Sequence, residues 1–122
     1  MKYMIMTFGG QAGLADRSME WIKEMIDFIR QIDRELAESG ELVFQQGLAD
    51  ARQAKTVRVH KGVPVATDGA FAGSAQSLAG LWVVDVEGEA RAIEIAAKIS
   101  AAAEAPIEVR QCMDAPPDDF LR

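Results

Sequence analysis

Apolar and polar positions along this chain change their spacing several times, and each change marks an element. Lys2 to Phe8 carries β-branched and aromatic residues and stops at Gly9-Gly10, the pattern of a first strand. Ile22, Met25, Ile26, Ile29, Ile32 and Leu36 then recur at three- and four-residue steps, which predicts a helix to about Glu38 with one apolar face. Ser18 or Asp16 can cap its start, and Gly40 stands where a left-handed C-terminal cap belongs. Glu41 to Leu48 reads as a second strand centred on Leu42-Val43-Phe44. Thr56-Val57-Arg58-Val59-His60 alternates with period two, turns at Lys61-Gly62 and returns as Val63-Pro64-Val65-Ala66. This is a hairpin, with Pro64 suited to an edge strand. Thr67 to Ala79 is too poor in large apolar residues to build core. Gly80 to Val86 predicts a strand, Glu87 to about Ala103 an alanine-rich helix, and Pro106 to Met113 a last strand. One domain over residues 1–114 and a surface tail over 115–122 follow, because Ala115-Pro116-Pro117-Asp118-Asp119 continues neither helix nor strand.

With the hairpin set aside, the order is strand, helix, strand, then strand, helix, strand. That order predicts an α+β fold, a ferredoxin-like sandwich with both helices on one face of an antiparallel sheet. The strands are apolar on both sides. Leu81 and Val83 oppose Trp82, Val84 and Val86, and Tyr3 and Ile5 oppose Met4, Met6 and Phe8. One layer of helices covers one side only, so the second apolar face calls for a partner, and a homodimer is the expectation.

Composition narrows the function classes. The chain has 122 residues, 49% apolar and 26% charged, with a net charge of −6. This excludes a disordered chain and fits one ordinary core. No segment approaches the eighteen or so apolar residues of a membrane span, and Met1 to Met6 is too short for a signal peptide. The acidic balance counts against nucleic acid as a partner, since no basic stripe is present to neutralise phosphates. Cys112 is the only cysteine and forms no internal disulfide. The expectation is a soluble cytoplasmic domain.

Candidate chemistry is sparse. His60 is the only histidine and shares a hairpin face with Arg58; the pair reads as a solvated polar face or, functionally, as an anion clamp. No second histidine or cysteine pair supports a metal site, and no cofactor motif is present. Gly9-Gly10-Gln11-Ala12-Gly13 lacks the spacing of a phosphate loop and reads as a connection. Arg110, two residues from Cys112, could activate its thiol, but a packed cysteine is the simpler reading. Trp21, Trp82 and the methionines read as core or interface, with Met4, Met6, Met19 and Met25 as candidates for an adaptable apolar pocket. Asp68-Gly69 makes a turn followed by one large aromatic, Phe71, which should anchor its loop either into its own core or over a cleft.

Asp68-Gly69-Ala70-Phe71 resembles the signature of the YCII-related family, in the branch named for a DGPF motif. The likeness extends over nearly the whole chain. It takes in Met1-Lys2-Tyr3-Met4, Gly47-Leu48, Thr56-Val57-Arg58, Ala79-Gly80-Leu81-Trp82 and Glu108-Val109-Arg110. The resemblance implies a dimeric α/β-barrel of ferredoxin-like protomers, in a family found beside or fused to extracytoplasmic-function sigma factors. A related branch, which includes a dehydrochlorinase, uses a histidine and an aspartate in a cleft. The first helix here carries no histidine, so that dyad does not transfer. The chain also departs from the pattern at Ala70, at Gly73-Ser74-Ala75-Gln76 and at Gln111, which suggests altered ligand binding. The expected function is therefore a small dimeric module that binds an unknown small ligand or protein partner, with no catalytic set. In that cleft Arg58 and Arg110 would pair an anionic group, Asp68 would fix the loop and Phe71 would form an apolar wall, with His60 a further ligand-binding candidate. The alternative is an enzyme acting on a small aromatic or carbonyl compound with Asp68 or His60 as general base, which requires those two residues to converge.

Overall fold

The computed structural model describes residues 1–73 and 76–115, with the side chains of Gln11 and Ala12 left aside. The elements in order are β1 (Lys2–Phe8), α1 (Met19–Glu38), β2 (Leu42–Gly47), β3 (Lys55–His60), β4 (Val63–Asp68), β5 (Leu78–Asp85), α2 (Glu89–Ala103) and β6 (Glu108–Gln111). Short 3-10 turns at Gln11–Leu14 and Ala51–Gln53 fill the two connections around β1 and β3. Of the expected tail, Ala115 alone falls within the described residues.

Four strands form one antiparallel sheet in the order β2-β5-β1-β6, and β3 and β4 form a separate two-stranded sheet. This α+β arrangement of two helices and antiparallel strands is compatible with the ferredoxin-like fold. The core lies between α1, α2 and one face of the large sheet: Tyr3, Ile5, Trp82, Val84 and Val86 meet Ile32, Leu36, Ala92, Ile95, Ala96 and Ile99. The expected split of the strands holds, because Met4, Met6, Leu81 and Val83 remain only half-buried on the opposite face. Register places Met4 beside Val83 and Arg110, and Met6 beside Leu81 and Glu108, so an ion pair of Glu108 and Arg110 at 2.9 Å flanks this apolar strip.

Local chemistry explains the helix ends. Ser18 Oγ accepts the Trp21 backbone N–H at 3.0 Å and starts α1. At its other end Gly40 adopts φ +80°, its N–H donates to the Ala37 carbonyl at 3.2 Å, and the Glu41 N–H donates to the Leu36 carbonyl at 3.0 Å. That is a Schellman closure, and it aims the Glu41 side chain at α2. An alanine at position 40 would meet open space but keep the unfavourable φ. Gly40→Ala is therefore expected to cost about 1 kcal/mol in urea unfolding, through backbone strain alone.

Two sequence expectations change. Ile26 is exposed, because the burying stripe of α1 runs through Ile22, Met25, Ile29, Ile32 and Leu36 and leaves Ile26 to one side. In β2 a bulge between Leu42 and Phe44 removes Val43 from the alternation, and Phe44 pairs with Val83 on the uncovered face. Both residues are consequently exposed, and of this apolar triplet Leu42 packs against the core.

Candidate functional site

A cleft of about 450 Å³ opens where β1, β2 and β5 end beneath the first half of α1. Its floor is the helix-facing side of the sheet: Trp82 pairs with Gln45, and Gly80 pairs with both Gly47 and Thr7. The two facing glycines are what leave room. A methyl at Gly80 would sit 3.3 Å from the Gln46 carbonyl and 3.3 Å from Thr7 Oγ1, whereas one at Gly47 would project into open space. Met25 and Ile29 of α1 form one wall, and Phe8, Leu14 and Leu48 contribute further apolar surface. Hydrogen bonds from Gly9 N–H to the Ser77 carbonyl at 2.9 Å and from Leu48 N–H to the Ala79 carbonyl at 2.8 Å hold the rim.

Polar groups in the cleft are few and neutral in the main. Gln45 is half-buried, and its side-chain amide makes no hydrogen bond to any described residue. The Asp50 carboxylate is engaged: it caps the Ala51–Gln53 turn by accepting the Arg52 N–H at 3.1 Å and pairs with Arg52 Nε at 2.8 Å. Such a lining suits a small apolar molecule with one uncharged hydrogen-bonding group.

Next to the cleft, and sharing Thr7, Phe8, Gly9 and Gly10 with it, lies a smaller recess of about 210 Å³. There Glu104 ties the two helices together, accepting from Trp21 Nε1 at 2.6 Å and from Arg17 at 3.0 Å, while the Arg17 guanidinium stacks 4.3 Å over the Trp21 ring. Glu104 holds a left-handed backbone, φ 51° and ψ 45°, at the end of α2. A glycine would take that conformation freely, so the carboxylate's two bonds compensate the strain.

The residues singled out from the sequence stand elsewhere. Arg58 and His60 share one face of the hairpin, as their spacing implies, and both are exposed. Asp68 lies at the hairpin base, where it pairs with Lys55. His60 faces Val63 beside the turn, so five strand residues, roughly 16 Å, separate it from Asp68. The acid–base pair that an enzyme reading needs is not assembled. Phe71 is 87% exposed and enters no core within its own chain. Arg110 lies on the uncovered sheet face with its guanidinium on Glu108. None of the five lines the cleft.

Cys112 is half-buried, with its backbone N–H on the Lys2 carbonyl at 2.9 Å. Among the described residues no cluster of three metal-ligating side chains occurs, and no helix is long and apolar enough to cross a membrane.

The cleft residues that sequence reading missed are Gln45, Gly47 and Gly80. The available signal was a glycine at one end of each of two neighbouring strands, which becomes meaningful only when the register is known. Met25, one of four methionines considered for a pocket, does line it.

No curated protein matches the chain. The model of the YCII-related domain matches residues 1–115, which takes in β1 to β6, α1, α2 and the whole cleft. The chain belongs to the YCII-related family.

Proposed function

We propose that the protein is a dimeric binding module whose cleft takes a small, largely apolar molecule bearing one uncharged hydrogen-bonding group. The observation that carries this reading is the glycine-floored cleft with the unengaged Gln45 amide, in a chain whose histidine and candidate aspartate stand far apart. The dimer closes the uncovered sheet face into the α/β-barrel that the family resemblance implies, and Met4, Met6, Leu81 and Val83 become its interior. Arg110 then faces a second chain. Arg58, His60, Asp68 and Phe71, exposed in one protomer, serve the ligand through the assembly rather than through the single-chain cleft. A sigma factor, also implied by the resemblance, is the protein-partner form of the same reading.

A panel of small apolar amides, alcohols and ketones tests the ligand class by thermal shift and calorimetry. A true ligand at a hundred times its Kd should stabilise the fold by about 2.7 kcal/mol. Gly47→Leu, which fills open space in the cleft, should abolish that binding while leaving the apo protein folded. Gln45→Leu should weaken it about tenfold by removing one hydrogen bond. A panel without a single binder, or binding untouched by Gly47→Leu, would sink the proposal.

A further inference from the structure

The cleft does not stand alone. Phe8, Leu14, Met25 and Ala103 line both it and the smaller recess beside it, together with Thr7 and the Gly9-Gly10 link. One set of residues thus forms a wall of each hollow, and the two meet along it. Met25 gives that wall a thioether chain with freely turning bonds. The shared wall carries no charged side chain, so whatever crosses it is hydrocarbon. The cleft lies over β2 and β5, whereas the recess opens past Thr7 of β1 toward Pro106 and Ile107, which lead into β6. Two strand spacings of ~4.8 Å separate β2, which carries Gln45, from β1, so an occupant reaching from one hollow to the other is roughly 10 Å long.

The far end is built around Glu104. Its Oε2 receives both of its bonds, from Trp21 Nε1 at 2.6 Å and from Arg17 Nη1 at 3.0 Å. Its Oε1 makes no hydrogen bond to any described residue. A carboxylate oxygen left open beside an apolar hollow accepts an N–H or O–H. Charge decides which kind of donor fits. The Arg17 guanidinium already balances this carboxylate, so an ammonium would enter against a like charge held on the same group. An anionic end would meet Glu104 itself.

We infer that the cleft and the recess form one elongated site for a straight apolar molecule with an uncharged hydrogen-bonding group at each end. The Gln45 amide meets one end, and the other, a hydroxyl or amide N–H, donates to Glu104 Oε1. The inference rests on the cleft reading above and extends it by a second polar end and a length.

n-Octanol and its α,ω-diol have the required reach and differ only in the second hydroxyl. Calorimetry with both, and with the ω-amino and ω-carboxylic analogues of n-octanol, reads the far end directly. The diol should bind about tenfold more tightly than n-octanol, and both charged analogues more weakly than the diol. Gly13 lines the recess but not the cleft, and a methyl there would meet open space. Gly13→Leu therefore fills the recess, and should erase the diol's advantage while leaving n-octanol binding near wild type. Glu104→Gly removes the carboxylate at a position whose left-handed backbone glycine adopts freely, so the variant sheds strain as it loses two bonds. It should bring the diol to within about twofold of n-octanol and turn the preference toward the ω-carboxylic analogue, because Arg17 then stands without Glu104. Circular dichroism checks the fold of both variants. A diol no tighter than n-octanol, a charged end tighter than the diol in the wild type, or an advantage that survives either variant overturns the elongated site and leaves the cleft reading standing. Failure of both alcohols to bind overturns the elongated site as well; if the small amides and ketones also fail, the cleft reading falls with it.

Discussion

Trp82→Ala is expected to destabilise the protein by about 3–5 kcal/mol, enough to unfold a large fraction of a marginally stable domain. Trp82 is 3% exposed on the central strand β5, packed in the core formed by α1, α2 and the sheet. Its indole N–H also donates to Asp33 Oδ1 at 2.7 Å, which ties β5 to the middle of α1. Removing the side chain thus opens a large cavity, loses a hydrogen bond to a charged group and takes away part of the cleft floor. Trp82→Phe separates these effects. It keeps most of the volume, loses the bond to Asp33, and should cost about 1–3 kcal/mol. Urea unfolding of both variants gives the comparison. A loss below 2 kcal/mol for Trp82→Ala would mean that β5 and α1 are not held together through this ring.

The second large effect is expected where the end of α1 meets α2. Arg91 holds Glu41 through two parallel hydrogen bonds, Nε to Oε2 at 2.8 Å and the terminal nitrogen to Oε1 at 2.9 Å. The Arg91 guanidinium, donating these bonds, lowers the Glu41 carboxyl to about pH 2 against an opposing effect of burial; Ser39, donating at 2.8 Å, adds to the lowering. Arg91 in turn is held charged, its proton made harder to lose by the same carboxylate. Because the folded value of Glu41 lies below the unfolded one of 4.5, its contribution to stability is complete above that pH. It is lost as the pH falls from 4.5 toward 2. Both side chains retain some solvent, so the pair is worth less than its titration shift alone would give. Glu41→Gln should cost about 1–2 kcal/mol at pH 7, with the gap to wild type closing below pH 4. A gap that stays constant from pH 7 to pH 3 would show that the charge on Glu41 is not what joins the two helices.

These two sites also show what can be read along a chain and what cannot. The three- and four-residue steps of α1, the glycine that ends it and the two-sided strands are local patterns, and the structure realises them apart from Ile26, which falls outside the burying stripe. The hairpin is local too, since Lys61-Gly62 specifies its turn and alternation specifies its strands. The cleft depends on Gly47 meeting Gly80, residues far apart in sequence that only the β2–β5 register brings together. Glu41 and Arg91 are likewise separated by 50 positions. Phe71 escaped prediction for a different reason. Its loop of small residues has no periodicity to point a side chain inward, and an isolated aromatic carries no direction of its own. The candidates chosen from the sequence were charged or aromatic residues on exposed elements. The cleft is built from residues with small or neutral side chains, whose role lies in the space they leave.

A two-stranded hairpin is marginal in water by itself, and the β3–β4 hairpin shares no apolar core with the large sheet and its helices among the described residues. Its order therefore rests on its own turn and ladder, and its amides should exchange ahead of those of the four-stranded sheet.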